Sequence, residues 1–141
     1  MDPSSLARLV SELLSVVALL GGYPVPEHSP SVHVVPQTHI REMLCRSDCG
    51  IKAFYHPGKG VFVSETLDPL RDIMGRSVLL HELVHHVQHL SGRFDRITDT
   101  CERWHARERE AYEVQNAYLG REGVGTRFAI DSLPRSCPGG P

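Results

Sequence analysis

The stretch Ser77–Gly92, SVLLHELVHHVQHLSG, sets His81, Glu82, His85, His86 and His89 into an otherwise apolar segment. His81-Glu82-Leu83-Val84-His85 has the form H-E-x-x-H. On an α-helix, residues i and i+4 share a face, so two imidazoles at this spacing can converge on one ion. Glu82 sits about 100° around the axis from His81. There it reaches a water on that ion without taking a coordination position. Zinc suits such a site, because neutral imidazole is a favoured donor and a catalytic zinc keeps one position for water. Glu82 would take the proton of that water as general base. Leu79, Leu80, Leu83, Val84, Val87 and Leu90 surround these groups with hydrocarbon, where unpaired imidazoles and a carboxylate are costly. A bound cation removes that cost. The rival reading is a chance match, since the chain holds nine histidines.

The neighbours divide by direction. His86 points away from the His81/His85 face and reads as a packing or surface residue. His89, four residues after His85, can approach the rim of the site without being a ligand. Gln88 lies one turn beyond His85 and can hydrogen-bond a ligand from behind, or serve packing alone.

A catalytic zinc takes three protein ligands, and HVQHLSGRFD, which follows His85, offers no third histidine at metzincin spacing. The other common solution is a glutamate on the next helix. CERWHAREREAYEVQNAYL supplies Glu102, Glu108, Glu110 and Glu113. Trp104, Glu108, Ala111, Gln115 and Tyr118 share one helical stripe, widened by Tyr112 and Leu119. A carboxylate in that stripe is buried and needs a partner. Glu110 shares a stripe with Arg103, Arg107, Val114 and Ala117, where solvated ion pairs account for it, and Glu102 and Glu113 look exposed. Glu108 is therefore the preferred third ligand and Glu110 the reserve.

H-E-x-x-H followed by a helix carrying Glu108-Arg109-Glu110-Ala111-Tyr112 resembles the gluzincin group of metallopeptidases. Several compact members of that group place the ligand glutamate three residues before an alanine. The pair HELVHHVQ and EREAYEVQ also looks like small bacterial zincin-like domains. The resemblance is strong over Ser77–Leu119 and only architectural before it. It departs at Tyr112, where Asp or Asn often stands as the partner of a ligand histidine. It implies one catalytic Zn2+ held by His81, His85 and Glu108, with Glu82 as base and a peptide or protein substrate. It also implies an edge strand beside the active-site helix to which an extended peptide can bond. Gly60–Thr66, with Val61, Phe62, Val63 and Ser64, is the candidate. Tyr112, Tyr118, His105 and Tyr55 are available as donors to a developing oxyanion. Two alternatives stay open: a zinc-holding binding module with little or no hydrolysis, and a latent protease.

Positioning these residues requires a scaffold, and its elements can be read from the punctuation. Leu6, Leu9, Val10, Leu13, Val17 and Leu20 fall at helical spacing, with Ser4 or Ser5 as cap and Gly21-Gly22 as stop. Asp2 and Glu12 argue against a signal peptide there. SVHVVP reads as a strand, THIREMLCR as a short helix capped by Thr38, and IKAFYHP with GVFVSE as a hairpin. Asp68-Pro69 marks a helix start, Gly75 an interruption, Ser77–Leu90 the histidine helix, and Gly92 its cap. A helix over Cys101–Leu119 follows. This order predicts an α+β domain: a short mixed or antiparallel sheet packed on the two site-bearing helices. Residues 1–130 form the single domain, and 131–141 a flexible Pro/Gly-rich tail.

At 141 residues one core suffices. A net charge of −2 gives no footprint for nucleic acid, and no segment reads as a membrane span. The four cysteines fit two disulfides, Cys45–Cys49 and Cys101–Cys137, with free thiols or a second zinc site as alternatives. Disulfides would favour an extracytoplasmic setting.

Overall fold

The chain folds as α1 (Pro3–Gly21), β1 (Val32–Val35), α2 (Gln37–Leu44), β2 (Ala53–His56), β3 (Gly60–Ser64), α3 (Ile73–Ser91) and α4 (Thr100–Arg121), ending in a single 3-10 turn at Ile130–Ser132. This is a computed structural model, and it describes residues 1–44, 50–133 and 137. The architecture is a small α+β domain. A three-stranded mixed sheet lies on one side of α3, while α1 and α4 cover the other.

The seven buried residues of α1 form its inner stripe, from Leu6 to Ala18. Its cap is Asp2 rather than a serine, with the Asp2 carboxylate accepting from Ser5 N at 3.1 Å. By length and composition this helix would suffice to cross a membrane, contrary to the sequence expectation. Its stripe is instead sealed against Leu79, Leu80, Leu83 and Val87 of α3 and Val114 of α4 in one continuous core.

The histidine helix is longer than its sequence suggested. Asp68-Pro69 does not start it. Asp68 closes a turn of its own, and Asp72 caps the helix by accepting from Met74 N and Gly75 N, both at 3.2 Å. Gly75 lies inside the helix and does not interrupt it. The backbone passes so close that a Cβ at Gly75 would lie 3.2 Å from Asp68 O. Gly92 ends α3 in the left-handed conformation, φ 66°, as expected. Apolar residues bury several faces of α3 at once, so the polar groups it carries are enclosed by hydrocarbon.

The sheet order is β1-β3-β2, with β1 parallel and β2 antiparallel to β3. This corrects the expected edge. Val61, Phe62, Val63 and Ser64 lie on the central strand, bonded on both sides, and cannot receive a further chain. Among the described residues, the free edge nearest α3 belongs to β2. Ser64 N donates to Lys52 O at 2.7 Å. In an antiparallel ladder this makes Phe54 the next residue bonded to β3 and turns the main-chain groups of Ala53 and Tyr55 outward. Stacked rings of His33, Phe62 and Phe54 run across the opposite face.

Gly60 fixes how closely β1 joins. Its φ is +106°, and a Cβ there would lie 2.2 Å from Ser31 O, the acceptor of Val61 N. A Gly60→Ala substitution is expected to destabilise the domain by about 2–4 kcal/mol. Urea unfolding checks this; an unchanged midpoint would contradict the packing described.

Candidate metal centre

Helix α3 projects His81 and His85 toward α4, and α4 returns Glu108 between them. His85 Nε2 lies 2.7 Å from one Glu108 oxygen and His81 Nε2 lies 3.2 Å from the other. One donor atom from each of the three residues falls within 4.8 Å of the other two. The sequence-preferred set is thus brought together. Two imidazole Nε2 atoms and a carboxylate form a donor set that zinc accepts once the Nε2 proton is given up.

Behind each histidine stands a glutamine. His85 Nδ1 meets Gln88 Oε1 at 2.8 Å, and His81 Nδ1 meets Gln115 Oε1 at 3.0 Å. The amide orientations are forced by their other ends. Gln88 Nε2 donates to Arg107 O and to a Glu110 oxygen, while Gln115 Nε2 donates to Ser77 Oγ, whose proton goes to Met74 O. An amide oxygen only accepts, so both rings carry a proton on Nδ1 and turn Nε2 to the centre. Gln88 was anticipated from sequence. Gln115 was placed on the right stripe but given no role; its spacing of seven residues from Glu108 was the available signal.

Two other candidates take different places. Tyr112 packs its ring on His81, 4.5 Å between centroids, and on Phe128. It bonds to neither histidine nitrogen, and Gln115 fills the role that an Asp or Asn would have had. Glu110 is turned from the cluster. It pairs with Arg93 at 2.9 Å, accepts from the Tyr23 hydroxyl and holds Gln88. The reserve ligand is therefore the anchor of a ligand's partner. Its charge-balancing arginine is Arg93, not the Arg103 and Arg107 of its stripe, because the turn after α3 brings Arg93 back against α1 and α4. Val114, from that supposedly solvated stripe, is buried.

Glu82 is buried beside the cluster. Burial pushes its carboxyl up, opposed by the two histidines and the Tyr55 backbone amide. Burial likewise pushes Glu108 up, but hydrogen bonds from His81 and His85 outweigh it and hold Glu108 well below the usual carboxylate range. Burial alone would lower His85; the contacts with Glu108, Glu82 and Gln88 overcome it and raise His85 to about 9. His86 stays outside, with Nδ1 3.3 Å from the Tyr55 hydroxyl. Burial lowers its basicity. His89 is exposed at the rim, as expected.

A cleft of about 260 Å³ opens onto the cluster, lined by Phe54, Tyr55, Pro57, Glu82, His85, His89, Trp104, Arg107 and Glu108. A second, of about 340 Å³, opens on the far side between Lys52, Ala53, His81, Glu82, Tyr112 and Phe128. Glu82 lines both, and residues on either side of the β2 edge line one or the other. Of the remaining oxyanion candidates, Tyr118 lies beside Arg76. His105 lies beside the Cys101–Cys137 disulfide, whose Cα atoms are 5.6 Å apart. Cys45 and Cys49 lie outside the described residues.

Fold and centre together define a small α+β domain with two histidines and a glutamate converging beside a buried second glutamate. The chain belongs to the family described as "Domain of unknown function (DUF6647)", whose model matches residues 2–133. No curated protein and no solved structure matches it.

Two outcomes test the centre. Replacing Gln88 or Gln115 with leucine is expected to weaken zinc binding about 10- to 100-fold, measured by competition with a chromophoric chelator. At neutral pH the metal-free His85, its pKa raised, holds a proton that a cation must displace. Zinc binding should therefore release at least about one proton, read from the buffer dependence of the calorimetric enthalpy. Release of none would remove His85 from the ligand set.

Proposed function

We propose that this domain is a zinc-dependent peptide hydrolase of zincin type. The observation that carries the reading is the convergence of His81, His85 and Glu108 with Glu82 buried beside them, open to a cleft along an unpaired strand edge. His81, His85 and Glu108 would hold the ion. When bound, zinc supplies Lewis acidity toward the scissile carbonyl and lowers the pKa of a water to roughly 7.

The remaining work falls to the chain. Glu82 accepts the proton of the attacking water and passes it to the departing amine nitrogen. Its buried setting suits it to carry a proton between these steps. Gln88 and Gln115 keep the ligand rings in one tautomer. The outward main-chain groups of Ala53 and the Tyr55 carbonyl on β2 align an extended peptide, in the role first expected of Val61–Ser64, while the Tyr55 amide holds Glu82. The disulfide between Cys101 and Cys137 favours an oxidising, extracytoplasmic compartment.

Glu82→Gln is expected to keep stoichiometric zinc and lose about 10²- to 10⁴-fold in turnover of casein or a quenched peptide library. His81→Ala, His85→Ala and Glu108→Ala should each lose the metal, assayed by elemental analysis. Wild-type protein that binds zinc but cleaves nothing, with or without chelator, would make the domain a zinc-holding binding module instead.

A further inference from the structure

Arg107 stands on the cleft wall one residue before Glu108, yet its side chain takes no part in the bonding that organises the site. Its carbonyl accepts from Gln88, but its side chain is half-buried with no hydrogen bond, ion pair or ring contact among the described residues. Other half-buried arginines are committed to the fold. Arg76 donates to Pro69 O and Leu70 O, and Arg103 to Ile97 O. The carboxylates sharing the cleft with Arg107 are committed elsewhere: Glu108 to two histidines, Glu82 to its buried position beside the Tyr55 amide. A guanidinium on a cleft wall with no protein partner keeps its N–H fork available, and that planar fork matches a carboxylate. The walls around it, Phe54, Tyr55, Pro57 and Trp104, are largely apolar and would strengthen such a pair by excluding water.

We propose that Arg107 receives a carboxylate of the peptide, two N–H groups against two oxygens, and so selects anionic peptides. This rests on the cleft being a peptide site. Two sources carry the same chemistry: an Asp or Glu side chain near the scissile bond, or the terminal α-carboxylate. Arg107 is a specificity residue in either case.

The test uses zinc-loaded Glu82→Gln protein, which binds without consuming the probe. Three fluorescent peptides of one length are compared: one with an internal glutamate and an amidated C-terminus, one neutral with a free C-terminus, and one neutral and amidated. One anionic peptide, and thereby its carboxylate source, should bind about tenfold or more tightly than the neutral one. On the same background Arg107→Gln should bring that ratio close to one, and Arg107→Lys should retain part of it. Melting curves confirm that both variants fold. Equal affinities in the parent, a preference that survives Arg107→Gln, or no binding of any peptide overturns the proposal. Wild-type protein that shows the preference but cleaves none of the three overturns the hydrolase reading and upholds the role of Arg107.

Discussion

The site depends on one partly buried carboxylate. Glu108 lies between α3 and α4, where partial burial works against its ionised form. It stays ionised because two imidazole edges meet its two oxygens. That arrangement needs α3 and α4 side by side in a fixed register, which the core beneath them supplies through Leu80, Leu83, Val84, Ala111 and Val114. The same three residues that satisfy one another without an ion present the donors an ion would take. The donors are thus already in place, and a cation bound there would replace a proton rather than assemble its own ligands.

Around this pair the fold builds a second layer that reaches far along the chain. Glu110 gathers Tyr23 from the end of α1, Arg93 from the turn after α3, and Gln88. Arg93 also donates to Gly21 O and Gly22 O and lies over the Tyr23 ring, 3.6 Å from its centroid. The orientation of His85 is therefore linked through Gln88 to the seating of the N-terminal helix. A residue first weighed as a metal ligand is better placed to lock two helices and a histidine together.

Much of the site was legible because helical periodicity is local. The H-E-x-x-H spacing places two imidazoles together on any helix, and the Trp104–Glu108–Ala111–Gln115 stripe points one way whatever it packs against. The errors arose where tertiary partners decide. The hairpin showed that β2 and β3 pair, but not which of them is central. That depended on β1, which joins β3 across a gap of some 25 residues and leaves the edge to β2. Asp68-Pro69 and Asp72 both carry the chemistry of a helix start, and the close approach of Gly75 to Asp68 selected the second. Gln115 went unrecognised because an amide in a buried stripe acquires meaning only when the ring it faces is known.

The two glutamines also set the electrostatics. A carboxylate behind a ligand imidazole fixes its tautomer and adds negative charge, making the ligand more basic. An amide fixes the same tautomer and adds none. With Gln88 and Gln115 in these positions, Glu108 is the single anionic member of the donor set, so a dipositive ion there would be only half neutralised. The excess positive charge would stand beside a buried Glu82, lowering the cost of its ionised form. The identity of the residues behind the ligands thus bears on whether the neighbouring carboxylate could act as a base, and under the proposed function it would couple the outer layer of the fold to proton transfer at the centre.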